Sequence, residues 1–377
     1  MGNGRFRDGG FAIGRLPTGA CNTICDVPGV KVAHVTLREA SGCHPDVCTG
    51  VTAILPHSGN LFEEKVLATA HVINGFGKTA GLVQVAELGE IESPIMLTNT
   101  FSVGAVLEGT LQQMMAQNVD IGDGKSSLNI VVGECNDSFL NDMRGLHVRP
   151  EHAVEAIERA LASDGGSVEE GGVGAGAGMR CFGWKGGIGT SSRQVRAFAG
   201  QSCHHVGVLA LTNFGVPEDL TILGCPVGQA LSSADEGSGI RFGGAQCDVN
   251  TSDLSDGSVM IILATDLPVD LQELVRIAKR ATFGLARVGS IAHHGSGDIV
   301  IAFSTTGAKS NPEDRLIREW LRDGANLSDC FRAVVEATEE AILNSLWAAS
   351  TTVGKRSRVV RALPVHEVEA MLRGSSD

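Results

Sequence analysis

A mixed fold of sheets and helices, α/β or α+β with stacked sheets, is what the sequence predicts, and three observations carry the prediction. Val259, Met260, Ile261, Ile262 and Leu263 form an unbroken apolar run of β-formers between turn residues, the pattern of a strand buried on both faces. Other runs alternate instead, as Val30, Val32 and His34 do behind the turn Pro28-Gly29, which marks strands with one buried face. Stretches with helical apolar spacing lie between and after these strands, and such a mixture is satisfied by layers.

In chain order, residues 51–55 read as a second strand, and 66–73 as a third that leads into the polar loop Asn74-Gly75-Phe76-Gly77. Residues 95–97 deliver Thr98-Asn99-Thr100, and 102–117 form a helix with Val103, Val106, Leu107, Leu111, Met114 and Met115 on one side. That Met pair suits core filling. A strand at 128–132 runs into Gly133-Glu134-Cys135-Asn136-Asp137, and 150–162 form a helix with Pro150 in its first turn. Residues 171–189 are glycine-dense, and a strand at 206–211 delivers Thr212-Asn213-Phe214-Gly215. The polar stretch 229–257 reads as a mobile connection. Behind the strand at 258–265, residues 269–288 read as one helix and 298–305 as a strand. A long helix at 327–349 takes Ser328 as its N-cap and carries Glu339 and Glu340 on its polar side.

Composition narrows the function. A chain of 377 residues, 43% hydrophobic, can bury one large core or two. Its net charge of −13 argues against nucleic acid and anionic membranes as partners and suits a small neutral or cationic ligand. Ten scattered Cys are expected to be mostly reduced thiols. The first residues lack the apolar core of a leader, and no apolar run reaches the roughly 18 residues of a membrane span, so a cytoplasmic protein is expected.

Most candidate motifs fail on spacing. The run Gly171 to Gly178 lacks the preceding strand and following acid of a dinucleotide site. Gly122-Asp123-Gly124-Lys125-Ser126 resembles the end of a P-loop, but Val119 stands where the first Gly is required. Cys21 with Cys25, Cys43 with Cys48, and Cys203-His204-His205 lack structural zinc spacing, so neither metal nor cofactor is expected.

A catalytic reading centres on Asp256-Gly257-Ser258. On its own the triplet is a turn before a strand, but Ser258 at the mouth of that strand is also placed to be a nucleophile. Ser296 and Asp298, two residues apart in an extended segment, point the same way and can act together. Asn213 can donate an amide N–H to an oxyanion, and Glu134 can bind an ammonium group. Polar groups at strand ends can converge on one rim.

At these residues the chain resembles the L-aminopeptidase/D-esterase and β-peptidyl aminopeptidase family of self-cleaving hydrolases with an N-terminal Ser nucleophile. The matching pieces are DVPGVKVAHVTL, ESPIMLTNTFSVG, GECNDSFLNDMRGLHVRPE, GGVGAGAGMRCFGWKGGIGTSSR, LTNFG, DGSVMIILATD and GSGDIVIAFST, spread in order over nearly the whole chain. The resemblance implies a four-layer α/β/β/α sandwich of two stacked sheets flanked by helices. It implies one hydrolase domain over 1–377, cut between Gly257 and Ser258 into 1–257 and 258–377 and assembled as a homo-oligomer of cleaved protomers. It implies Ser258 as nucleophile, Asn213 as oxyanion donor, Ser296 and Asp298 as its assistants, and Glu134 as receptor of a free amine on a small peptide, amide or ester substrate. Family members carry a Tyr near the Glu134 segment; here Asn136 or Phe139 stands there, and the second oxyanion donor stays open. Lys78 and GLVQVAELG also differ from members with Glu and Trp at those places. Two alternatives are an acyltransferase of the ornithine acetyltransferase type, whose nucleophile is Thr, and a non-catalytic assembly protein of the same fold.

Overall fold

The computed structural model describes residues 4–38, 46–123, 127–197, 202–238, 257–306 and 312–374. Its elements in order are β1 (Lys31–Arg38), β2 (Cys48–Leu55), β3 (Val66–Gly75), α1 (Leu82–Leu88), β4 (Glu90–Ile91), β5 (Ile95–Asn99), α2 (Val103–Gln117), β6 (Val131–Cys135) and α3 (Pro150–Ala162). They are followed by β7 (Arg180–Cys181), β8 (Trp184–Lys185), β9 (Gly187–Ala197), β10 (Ser202–Asn213), α4 (Val227–Ser238) and β11 (Ser258–Thr265). The remainder is α5 (Leu271–Ala278), α6 (Ala281–Arg287), β12 (Gly297–Ser304), α7 (Pro312–Leu321), α8 (Gly324–Trp347), β13 (Thr352–Val353), β14 (Val359–Val360) and α9 (Val365–Gly374).

Two main sheets result. One has the order β1-β2-β5-β6 and the other β4-β3-β12-β11-β10-β9; β5–β6 and β11–β12 are parallel, the other pairs antiparallel. Alternation along β11 explains the stacking, because a strand sends successive side chains to opposite faces. Met260, Ile262 and Ala264 pack with Ile54, Leu97 and Val131 of the first sheet. Val259, Ile261 and Leu263 pack with Leu274, Leu285, Val334 and Ala337 of the outer helices. On the far side, Val51, Ala53, Met96 and Val132 meet Val106, Met114 and Ile157 of α2 and α3. The architecture is thus the expected sandwich of two sheets flanked by helices.

Local departures have physical causes. The expected helix over 269–288 is two, α5 and α6, and at Gly284 the second lies so close to α8 that a Cβ would stand 2.6 Å from Thr338 Cβ. α8 starts earlier than expected, with Asp323 accepting from Ala325 N–H; Ser328 sits inside it, bonded to Gly324 O. Glu339 and Glu340 are buried rather than on a solvated face, because Arg7, Arg193 and Arg287 cover them. The glycine-dense stretch hides the start of β9, one of the longest strands. Of the expected connection over 229–257, residues up to 238 continue α4, while 239–256, with Asp256 and Cys247, lie outside the described residues, as do Cys43 and Gly124 to Ser126.

Candidate active site

Ser258 opens β11 between two strand partners, paired with Asn213 on β10 and with Gly297 on β12. The backbone N–H of Gly297 donates to Ser258 Oγ at 3.2 Å and to the Gly257 carbonyl oxygen at 3.2 Å. Among the described residues no side-chain base hydrogen-bonds Ser258 Oγ. Gly257 is there for room: a Cβ would stand 2.4 Å from Asn213 O and 2.5 Å from Phe214 Cα. Gly297 is equally crowded, 2.9 Å from Gly77 Cα by the same construction.

Ser296 and Asp298 meet as their spacing predicts, Ser296 Oγ donating to Asp298 Oδ1 at 2.5 Å. Asp298 Oδ2 is buried with no hydrogen-bond partner, an acceptor left open beside the strand that carries Ser258. Burial raises the Asp298 pKa from 3.8 to about 6, against the lowering effects of the Ser296 bond, the Val259 backbone and the charge of His293. Asn74 fixes this turn from β3, its Nδ2 facing the carbonyls of His293, His294 and Ser296 at 3.0, 3.1 and 2.5 Å.

Asn213 ends β10 with its amide oriented at both ends. Its Oδ1 accepts from Arg180 N–H at 3.0 Å and its Nδ2 donates to Asn136 O at 2.9 Å. A primary amide has a second N–H, which remains for an oxyanion. Glu134 ends β6 in the other sheet, 2% exposed, where Lys78 N–H donates to Oε1 at 2.8 Å and Thr100 Oγ1 donates to Oε2. Gly77 links the two sheets here, since a Cβ on it would lie 3.8 Å from both Glu134 Oε1 and Gly297 Cα. Asn136 and Phe139, at the positions considered for a Tyr, offer no hydroxyl: one contributes its carbonyl to Asn213, the other is packed against Arg180 and Arg358.

All five singled-out side chains therefore stand at strand ends, or beside one, on one rim of the two sheets. Two residues that sequence reasoning left as plain loop, Asn74 and Thr100, turn out to hold them, together with the N–H groups of Lys78 and Gly297. Their signal was modest, a polar residue or Gly directly after an apolar strand run. Among the described residues no three His, Cys, Asp or Glu side chains gather in a way that would hold a metal ion.

The model of peptidase family S58 matches residues 22–360. The chain belongs to peptidase family S58. As an S58 member it is a hydrolase of the aminopeptidase class. Over 376 residues it is 39% identical to the β-peptidyl aminopeptidase BapA of Sphingosinicella microcystinivorans, covering 98% of this chain and 92% of that relative. The S58 sandwich superimposes with a TM-score of 0.84 on a protein from Pyrococcus horikoshii, at 44% identity over 99% of each chain. It superimposes with a TM-score of 0.81 on the L-aminopeptidase D-Ala-esterase/amidase of Ochrobactrum anthropi, at 32% identity over 99% of each chain, a structure described as a variant of the N-terminal-nucleophile hydrolase fold.

Proposed function

We propose that this chain is a self-processing aminopeptidase that cuts itself between Gly257 and Ser258 and then hydrolyses amide or ester bonds behind a residue with a free amine. The observation that carries the reading is the setting of Ser258, whose hydroxyl accepts from the Gly297 N–H, the same donor that holds the Gly257 carbonyl, and meets no side-chain base among the described residues. A Ser hydroxyl needs a base to react at neutral pH. Self-cleavage supplies it: Ser258 Oγ attacks the Gly257 carbonyl, the acyl group passes from nitrogen to oxygen, and water splits the ester into a Gly257 carboxylate and a free Ser258 α-amine. That amine has an ordinary pKa of about 7.7 to 8.0, suited to moving a proton to and from Oγ.

In turnover Ser258 takes the acyl group of the substrate and water releases it. Asn213 holds the oxyanion, worth on the order of 3 kcal/mol per donor. Asp298, with one oxygen open, and Ser296 orient the new ammonium; Glu134 receives the ammonium of the substrate. The homologous β-peptidyl and L-aminopeptidases support substrates with small β-, L- or D-residues at the amino end. We further read 1–377 as one domain acting as a homo-oligomer of two-fragment protomers in the cytoplasm. Ser258 in place of Thr and membership of family S58 favour hydrolysis over acetyl transfer.

A denaturing gel of the pure protein tests the reading. Fragments 1–257 and 258–377 are expected, with Ser258→Ala uncut and inactive; a single intact band with full activity on alanine amides would refute it.

A further inference from the structure

Asp137 carries a buried carboxyl that the chemistry above does not use. It directly follows Asn136, the exposed residue whose carbonyl accepts from Asn213 Nδ2. The Asp137 side chain is 0% exposed, and among the described residues its Oδ2 has no hydrogen-bond partner. Burial pushes its pKa from 3.8 up to about 7, against the hydrogen bonds of Thr49 and Asn141. An Asp that merely starts a turn does so at the surface, where water solvates it. A carboxyl taken out of water with incomplete pairing costs stability, and such groups gather at functional sites.

The contacts of Asp137 reach both supports of the Asn213 amide. On one side, Leu140 and Asn141 N–H donate to Asp137 O at 3.1 and 3.0 Å, and Asn141 Nδ2 donates to Asp137 Oδ1 at 3.0 Å. Main chain and side chain of Asp137 are thereby fixed together, just behind the Asn136 carbonyl. On the other side, the glycine-dense loop that leads to Arg180 lies against it: a Cβ on Gly178 would stand 2.8 Å from Asp137 Cβ and 2.4 Å from Cys48 O. Asn141 Oδ1 accepts from Cys48 N–H at 3.2 Å, and Cys48 Sγ donates to Ala177 O at 3.1 Å in the same loop. These contacts close a ring that leaves Asn213 through Nδ2 on Asn136 O and returns to its Oδ1 through the Arg180 backbone N–H.

Resting on the aminopeptidase reading, we propose that Asp137 is a positioning residue: by anchoring the two loops that grip Asn213, it aims the remaining amide N–H at the developing oxyanion. The amide is held at both ends, so a shift of either loop turns it. Since the oxyanion is absent from the bound substrate, a misaimed donor lowers kcat and leaves KM in place.

The test removes the carboxyl in Asp137→Ala. On an alanine amide, kcat of the mature protein should fall about tenfold or more, part of what a lost oxyanion donor costs, with KM unchanged. Asp137→Asn, whose carbonyl oxygen still accepts from Asn141, should recover most of the loss. Binding separates positioning from general damage. The boronic acid analogue of alanine, whose tetrahedral adduct with Ser258 puts an oxygen at the oxyanion position, should lose affinity in step with kcat, while alanine itself binds as to wild type. A wild-type kcat in Asp137→Ala, or equal losses for boronate and alanine, overturns the proposal alone. If Asp137→Ala fails to fold or mature, Asn141→Ala opens the same ring with the carboxyl intact, and the same two readings decide. A wild-type chain that neither cuts itself nor turns over would overturn the aminopeptidase reading, and this proposal with it.

Discussion

One backbone N–H joins Gly297 to Ser258: it stands 3.2 Å from the Ser258 hydroxyl oxygen and 3.2 Å from the carbonyl oxygen of the preceding residue, Gly257. Nucleophile and electrophile of the proposed self-cleavage therefore share one donor, which orients the hydroxyl and polarises the bond it attacks. This arrangement tolerates little movement.

Gly257→Ala tests it. The added Cβ would fall 2.4 Å from Asn213 O, so the chain must shift and carry the carbonyl with it. Self-cleavage followed by gel densitometry is expected to slow by tenfold or more; processing at the wild-type rate would show that crowding at Gly257 does not set the geometry.

For Glu134→Gln, two donors decide the outcome. Lys78 N–H and Thr100 Oγ1 both point at carboxylate oxygens, and an amide NH2 in place of one oxygen would oppose a donor while removing the charge. On substrates with a free amine, kcat/KM should fall by about a hundredfold, roughly the worth of a lost charge-assisted pair, while self-cleavage proceeds. Normal kinetics would remove Glu134 from substrate binding.

Asp298 predicts a pH dependence with two signs. Only its charged form can hold an ammonium, so kcat/KM should fall as pH drops through about 6, the raised value that burial gives it in the uncut chain. The Ser258 ammonium released by cleavage favours the carboxylate and moves that acidic limb downward. For stability, the folded-state value lies above the ordinary 3.8, so the group's contribution is fully present below the unfolded value and is lost as pH rises through about 6. Asp298→Asn is therefore expected to lower kcat/KM at least tenfold and, in the uncut Ser258→Ala chain, to stabilise the fold at pH 7.5 by up to about 3 kcal/mol. Thermal melts and a pH–rate profile check both; a variant with wild-type kinetics would exclude the residue from the chemistry.

A buried charge network predicts that cleaved fragments stay together. Arg193, fully buried, pairs with Glu340 at 2.6 Å and Glu336 at 3.3 Å, and Arg7 reaches Glu340 at 2.7 Å, so both proposed fragments contribute. Burial works to raise the Glu340 pKa, but the Arg7 hydrogen bond and the Arg193 charge outweigh it and hold the carboxyl below its ordinary value. Glu340→Gln would strand Arg193 with a weaker partner, costing about 3–5 kcal/mol. A lower unfolding midpoint and, on size exclusion in mild denaturant, earlier separation of the fragments are expected; an unchanged midpoint would show the network to be dispensable.

How much of this was legible in the sequence depends on the range of the interactions. Strands and helices follow from periodicity, and the β11 run or the α3 stripe were readable because their causes are local. The same holds for the Ser296–Asp298 pair, which two-residue spacing on extended backbone brings together. The break between α5 and α6 was not readable, since it accompanies close packing of Gly284 on Thr338, fifty-odd residues away in the chain. Nor was the burial of Glu339 and Glu340, whose partners Arg7, Arg193 and Arg287 are remote in sequence.

The sequence by itself determined the kinds of element, the stacked-sheet class and the set of candidate groups, because hydrophobic period and strand-end polarity are properties of neighbouring residues. Tertiary structure alone decided which strand ends meet. Asn213 and Gly297 flank Ser258 through ladder register, and Glu134 joins them from the other sheet across Gly77. Register and sheet-to-sheet approach are fixed by long-range packing, in which one residue of slip would send every side chain to the opposite face.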